Sequence, residues 1–112
     1  MLQFRGGQLN FGVRRKQAVS FIAVRWLHSN SEDPIELYSE LDAERNEVRK
    51  VEVFADGRAH YADANSSTGD TILGSIPIPS LAEIADDPQF VPHEIAVEEF
   101  ESIWQAARCK CA

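Results

Sequence analysis

Carboxylates crowd the stretch ELYSELDAERNEVRKVEVFADGRAHYA, residues 36–62, where Glu36, Glu40, Asp42 and Glu44 recur at even spacing and Tyr38 stands between the first two. Two carboxyl groups can share general acid and base work when unequal burial separates their pKa values. That use needs an apolar pocket beside one of them, and nothing in the sequence supplies it. Alternating charges on a half-buried strand more often form a solvated face. Recognition is a further use. If Trp26 and His28, near the end of the preceding strand, face the same side as Tyr38, aromatic and acidic groups interleave as they do in protein-binding surfaces. We therefore expect Glu36, Tyr38, Glu40, Asp42, Glu44 and His28 to form a partner-facing surface, with no catalytic residue. The alternative is a small-ligand site or small enzyme built from Trp26, His28, Tyr38 and the neighbouring carboxylates. A cleft holding His28 and Glu40 together would favour that alternative.

Other chemistries find less support. Metal centres need three or four converging ligands, commonly with paired His or Cys at short spacing. His28, His60 and His93 are far apart, and Cys109 and Cys111 flank Lys110 with no second pair, so neither a metal site nor a cofactor is expected. A disulfide between those cysteines would close a tiny strained loop and staple nothing. Nucleophilic catalysis needs a nucleophile held by a base, yet no serine lies in a G-x-S-x-G elbow and neither cysteine neighbours a histidine. The glycines match neither a Walker loop nor a dinucleotide fingerprint.

The elements that would position these residues follow from the hydrophobic pattern. FIAVRWLH, residues 21–28, alternates as a strand with Ile22, Val24, Trp26 and His28 on one face. SNSEDP then concentrates turn formers. In IELYSELD the residues Ile35, Leu37 and Leu41 share the side expected to be buried, which leaves Glu36, Tyr38, Glu40 and Asp42 on an acidic outer face. EVRKVEVF, residues 47–54, reads as a third strand with imperfect alternation, and Arg45, Arg49 and Arg58 are expected to pair with nearby Glu side chains. Asp56-Gly57 signals a two-residue hairpin turn into a fourth strand over residues 58–62. TILGSIPI is a candidate fifth edge segment, ended by Pro77 and Pro79. Ser80 and Glu83 match a capping box for a short helix stopped by Pro88. Residues 94–107 place Ala96, Phe100, Ile103, Trp104 and Ala107 on one helical stripe. The expected fold is α+β: an antiparallel four- to five-stranded sheet with one short and one longer C-terminal helix packed on it.

At 112 residues and 44% hydrophobic content the chain can bury one core without disulfides or metal. Residues 21–107 are expected to form that single domain, between a basic, poorly ordered arm at 1–20 and a short tail at 108–112. No apolar run approaches the roughly 20 residues that span a bilayer, and no secretory signal opens the chain, so no membrane association and a cytoplasmic location are expected. The net charge of −7 understates the acidity of the body, because residues 1–20 hold Arg5, Arg14, Arg15 and Lys16 and no acid. Phosphate backbones repel such a surface, which disfavours nucleic acid as a partner and favours a basic protein.

The motifs WLH, LYSELDAERNEVRKVEVFADGRAHYA, IPIPSLAEIADDPQF and EEFESIW, in this order across residues 21–107, resemble a small uncharacterised bacterial domain family. The resemblance implies a compact domain and brings no activity, cofactor or catalytic residue with it. In size and acidity the chain is also similar to the immunity proteins of bacterial toxin systems, which makes occlusion of a basic toxin one form the expected protein binding would take.

Overall fold

A computed structural model describes residues 19–110, with Lys110 described in its backbone alone. The basic arm up to residue 18, and Cys111, lie outside the described residues. Five strands and two helices follow in the order β1 Ser20–Trp26, β2 Glu36–Leu41, β3 Glu47–Val53, β4 Ala59–Ala62, α1 Leu81–Ala85, β5 Phe90–Glu94 and α2 Val97–Lys110. The strands form one antiparallel sheet in the order β4-β3-β2-β1-β5. The fold is α+β, with a short helix and a longer C-terminal helix packed on a five-stranded sheet. Among the described residues no helix is long and apolar enough to cross a membrane.

Strands β1 to β4 form a meander, and two of its turns differ from the simplest sequence expectation. Between β3 and β4, Phe54 and Arg58 close a three-residue loop, Ala55-Asp56-Gly57, through the Phe54 N–H to the Arg58 carbonyl at 2.9 Å. Gly57 at φ 93° supplies the one positive φ this longer hairpin loop requires. Between β2 and β3, Asp42 accepts the backbone N–H groups of Glu44 and Asn46. This turn leaves Arg45 at φ 68°, a conformation a non-glycine residue adopts only when its surroundings hold it there.

The fifth strand is not TILGSIPI. That segment has no regular structure, and FVPHE, residues 90–94, pairs instead with the free edge of β1, from Ile22–Glu94 to Trp26–Phe90. Pro92 explains why the pattern was misleading. A proline argues against a central strand but is tolerated on an edge, where one side of the backbone needs no ladder partner.

Helix α2 covers the sheet face that carries Phe21, Ala23, Tyr38, Val51, Val53, Ala59 and Tyr61. Its stripe supplies Phe100, Trp104 and Ala107 to a core with Val51 and Ala59, while Phe21, Tyr38, Val53, Tyr61, Ile95 and Ile103 pack around it. Tyr61 meets Trp104 edge-on at 5.2 Å and Phe21 lies 5.3 Å from Phe100. The helix begins three residues later than its apolar pattern suggests, because Glu94 belongs to β5; the Ala96 carbonyl accepts the first helical N–H groups, from Glu99 and Phe100. The acidic outer face of β2 is therefore corrected. With its two aromatic anchors, α2 lies over the side that bears Glu36, Tyr38 and Glu40. The opposite side, with Ile22, Leu37, Ser39 and Leu41, lies beneath the chain that connects β4 to β5.

Trp104 is only 5% exposed and Phe100 fully buried. Replacing Trp104 with Ala should cost about 3–5 kcal/mol in a denaturant titration, enough to unfold a marginal domain. A near-neutral midpoint would show that α2 is not anchored through its aromatic stripe.

Candidate functional site

The six residues expected to share a surface are separated. Glu36 pairs with Arg25 at 2.9 Å and accepts the Tyr38 hydroxyl at 2.9 Å. Burial, then that hydrogen bond, pushes the Tyr38 phenol up to about 12. Glu40 receives the Nε of Arg49, whose terminal nitrogens reach Glu101 of α2, and the same guanidinium sits 4.9 Å over Phe100 and 5.1 Å over Trp104. The Arg49 donors hold the Glu101 carboxyl below its ordinary range. Asp42 is occupied in its turn, and Glu44 stands exposed beside it. His28 Nδ1 accepts the Asn30 N–H at 3.0 Å, so Nε2 carries the proton given to the Pro34 carbonyl at 2.8 Å. That ring closes the end of β1 and meets Trp26 edge-on at 4.6 Å. Glu40, paired in register with Phe21, lies at the other end of the same strand pair and on the other face, roughly 20 Å away at strand rise. No cleft unites His28 and Glu40.

The opposite sheet face holds a second set of charges, produced by a bulge. Glu40 pairs with Arg49 but Leu41 pairs with Glu47, so Val48 is an extra residue and is pushed outward. In an unbroken strand, residues three apart point to opposite faces. The bulge instead brings Glu47 onto the face of Lys50, which stands 3.7 Å from Glu47 and 3.7 Å from Glu52. The side chain of Glu47 is only 4% exposed and accepts the Ser39 hydroxyl at 2.8 Å and the Gly74 N–H at 2.6 Å. Glu52 accepts the hydroxyl of buried Thr71 at 2.7 Å, and Lys50 donates to the Ile72 carbonyl at 3.2 Å. This cluster ties residues 71–74 to the sheet.

A little further along, Arg45 clamps the same connection. Its backbone carbonyl accepts the Ile78 N–H, and its side chain donates to the carbonyls of Ile78 and Pro79 at 2.9 and 2.7 Å. Arg45 was expected to meet a Glu; its partners are backbone carbonyls because the left-handed turn aims it at the connection. Arg58 likewise pairs with Asp56 of its own hairpin loop, whereas Arg49 does meet Glu40 across the strands.

Two hollows flank this clamped connection. One, of about 390 Å³, lies beneath α1 and is walled by Ile22, Val24, Leu37, Ile84 and Phe90, with Ser39, Glu47 and Lys50 at its floor and Glu83 and Asp87 at its mouth. The other is a cleft of about 550 Å³ at the far end of the connection, where Glu32, Asp33, Glu52 and Asp70 meet Trp26, Phe54, Arg58 and His60. Trp26 is half-buried there, its indole N–H donating to Gln89 at 2.8 Å. His60 lies edge-on to Phe54, packed so closely on Gly69 that a Cβ there would come within 2.9 Å of the ring; its Nδ1 is buried without a hydrogen-bond partner. Sequence reading missed both hollows, since both depend on a connection without periodicity and the one beneath α1 also on the bulge. The one available signal was the broken alternation of EVRKVEVF.

Among the described residues no group of three or more His, Cys, Asp or Glu is arranged to hold a metal ion. Fold and hollows together define a small α+β domain with one helix-covered and one loop-covered sheet face. The chain belongs to the family described as domain of unknown function DUF6881, whose model matches residues 20–109. No curated protein and no solved structure matches the chain.

The engagement of Glu40 and the freedom of Glu44 separate two substitutions that the sequence treats alike. Glu40→Lys sets a second cation against part-buried Arg49 and should cost about 2–4 kcal/mol, whereas Glu44→Lys should stay within about 0.5 kcal/mol, both read from denaturant midpoints. Equal effects would disconnect Glu40 from the core.

The raised phenol of Tyr38 has its own signature. A folded state that holds this proton more tightly than the unfolded chain loses stability as pH rises from the ordinary phenol range towards about 12. Tyrosinate absorbance should show a late component that Tyr38→Phe removes, together with part of the alkaline loss of stability. A titration complete at the ordinary value would contradict the Glu36 contact.

Proposed function

We propose that the domain is a non-enzymatic, acidic protein-binding module for a basic partner, acting as an immunity or antitoxin-type protein does when it occludes a basic toxin. The observation that carries this reading is the open cleft lined by Glu32, Asp33 and Asp70 together with Trp26 and Phe54, with Glu52 of the same lining already paired to Lys50. Carboxylates beside aromatic faces suit an arginine or lysine side chain, which gains both an ion pair and a ring contact. The cleft already contains one such arrangement, because Arg58 lies 4.6 Å over the Phe54 ring while paired with Asp56 at 2.9 Å. The net charge of −7 would add long-range attraction.

The binding surface in this reading differs from the strand carboxylates. Glu36 and Glu40 already have cationic partners and Glu44 lies at the far end of β2, whereas His28 borders the cleft, packed on Trp26 and joined through Asn30 to Asp33. The alternative site of Trp26, His28 and Tyr38 receives no support from geometry, since Tyr38 is on the α2 side of the sheet.

The test begins with co-purification of the chain with the product of the adjacent reading frame, followed by association kinetics at low and high salt. Reversing Glu32 and Asp70 to Lys should slow association about tenfold or more at low salt and leave the melting temperature nearly unchanged. An on-rate that is insensitive to both salt and reversal would remove the cleft from the interface.

A further inference from the structure

We infer that the hollow beneath α1 is a binding site for a small amphipathic cation, an amine whose apolar tail lies against the sheet and whose ammonium group sits at the mouth. Its volume of about 390 Å³ falls in the range of small-molecule sites, and its inner wall, from Ile22, Val24, Leu37 and Phe90, is apolar. The inference goes beyond protein binding, since this hollow shares only Leu37 with the acidic cleft.

The polar groups decide the sign of the head group. At the floor, Glu47 and Lys50 are occupied by each other, by Ser39 and by the backbone of Gly74 and Ile72, so this end offers a ligand no free charge. At the mouth, Glu83 and Asp87 are exposed. Glu83 accepts from Ser80 in the capping box, and Asp87 accepts from the backbone and side chain of Gln89. Those donors are neutral, and among the described residues neither carboxylate has a cationic partner. With Glu47 and Lys50 paired to each other, the charge left over in the lining is that of the two carboxylates Glu83 and Asp87. An anionic head would be repelled at the mouth and a neutral one would gain only tail burial. A cationic head gains both, and its charge can remain partly hydrated.

The probes are 4-phenylbutylamine, 4-phenylbutanol and 4-phenylbutanoate, titrated into the full chain with the methyl resonances of Ile22, Val24 and Ile84 as readout. The amine should bind about tenfold more tightly than the alcohol, and the carboxylate most weakly, as expected for one partly solvated ion pair. Glu83→Gln with Asp87→Asn keeps the cap and the turn but removes the charge, and should bring the amine down to the alcohol. Val24→Phe should weaken all three by filling the hollow; if that variant fails to fold, Ile84→Phe fills the same space from the helix side. Equal binding of the three probes, or no binding of the amine, overturns the inference. So does an amine preference that survives the double substitution, because it would then reflect the acidity of the whole chain. Unchanged affinity in a folded, filled variant places the amine elsewhere and overturns it as well.

Discussion

One guanidinium holds the two layers of the domain in register. Arg49 leaves β3 on the side of α2, takes a carboxylate from β2 and another from the helix, and lies against the rings of Phe100 and Trp104. An apolar residue of similar volume could fill this space, and part-buried ion pairs often add little net stability after desolvation. What Arg49 adds is geometric. A one-residue slip between β2 and β3 would send its side chain to the other face and strand Glu40 against aromatic rings. The cation and its two anions therefore penalise wrong pairings more than they strengthen the right one.

The bulge at Val48 plays the complementary part on the other face. Without it, Glu47 would point towards α2 and Lys50 would lose one of its two carboxylates. With it, a part-buried Glu-Lys-Glu row crosses the sheet beneath residues 71–74 and supplies side-chain acceptors for Thr71 and Gly74 and a donor for Ile72. A connection with no helix or strand of its own must satisfy its backbone polar groups somewhere. Here sheet side chains do so, aided by Arg45 at the far end. The strained φ of Arg45 is sustained by the contacts it makes possible.

The legible parts of the fold were those with local periodicity. The alternation of FIAVRWLH, the Ser80–Glu83 cap and the Phe100–Trp104–Ala107 stripe each state their structure within a few residues. The fifth strand was illegible because it pairs with β1, more than sixty residues earlier, and contains a proline. The side of β2 that faces α2 was misread for a different reason. The side with Leu37 and Leu41 is the more apolar and is buried as its pattern predicts, but only the placement of α2 shows that the polar side is covered as well. Glu36, Tyr38 and Glu40 looked like a surface because sequence shows charge without showing its partner. The hollows were beyond reach, since Ile22, Leu37 and Phe90 come together only after the connection has crossed the sheet.

The density of charge between residues 36 and 62 thus divides by function within the fold. Its basic residues are committed: Arg45 to the connection, Arg49 to the helix, Lys50 to its row with Glu47 and Glu52, and Arg58 to the hairpin. Each holds one to three acceptors in place, so the cations of this stretch serve folding. Carboxylates outnumber cations in the chain as a whole, and such a surplus has nowhere to go but the surface. Part of it lies at the start of α2, in Glu98 and Glu99, and part borders the openings, where Glu32, Asp33 and Asp70 line the cleft and Glu83 and Asp87 the mouth of the hollow beneath α1. Both openings lie on the loop-covered face. The basic partner proposed above would find these carboxylates around both openings, on the side of the sheet opposite α2 and away from Arg49.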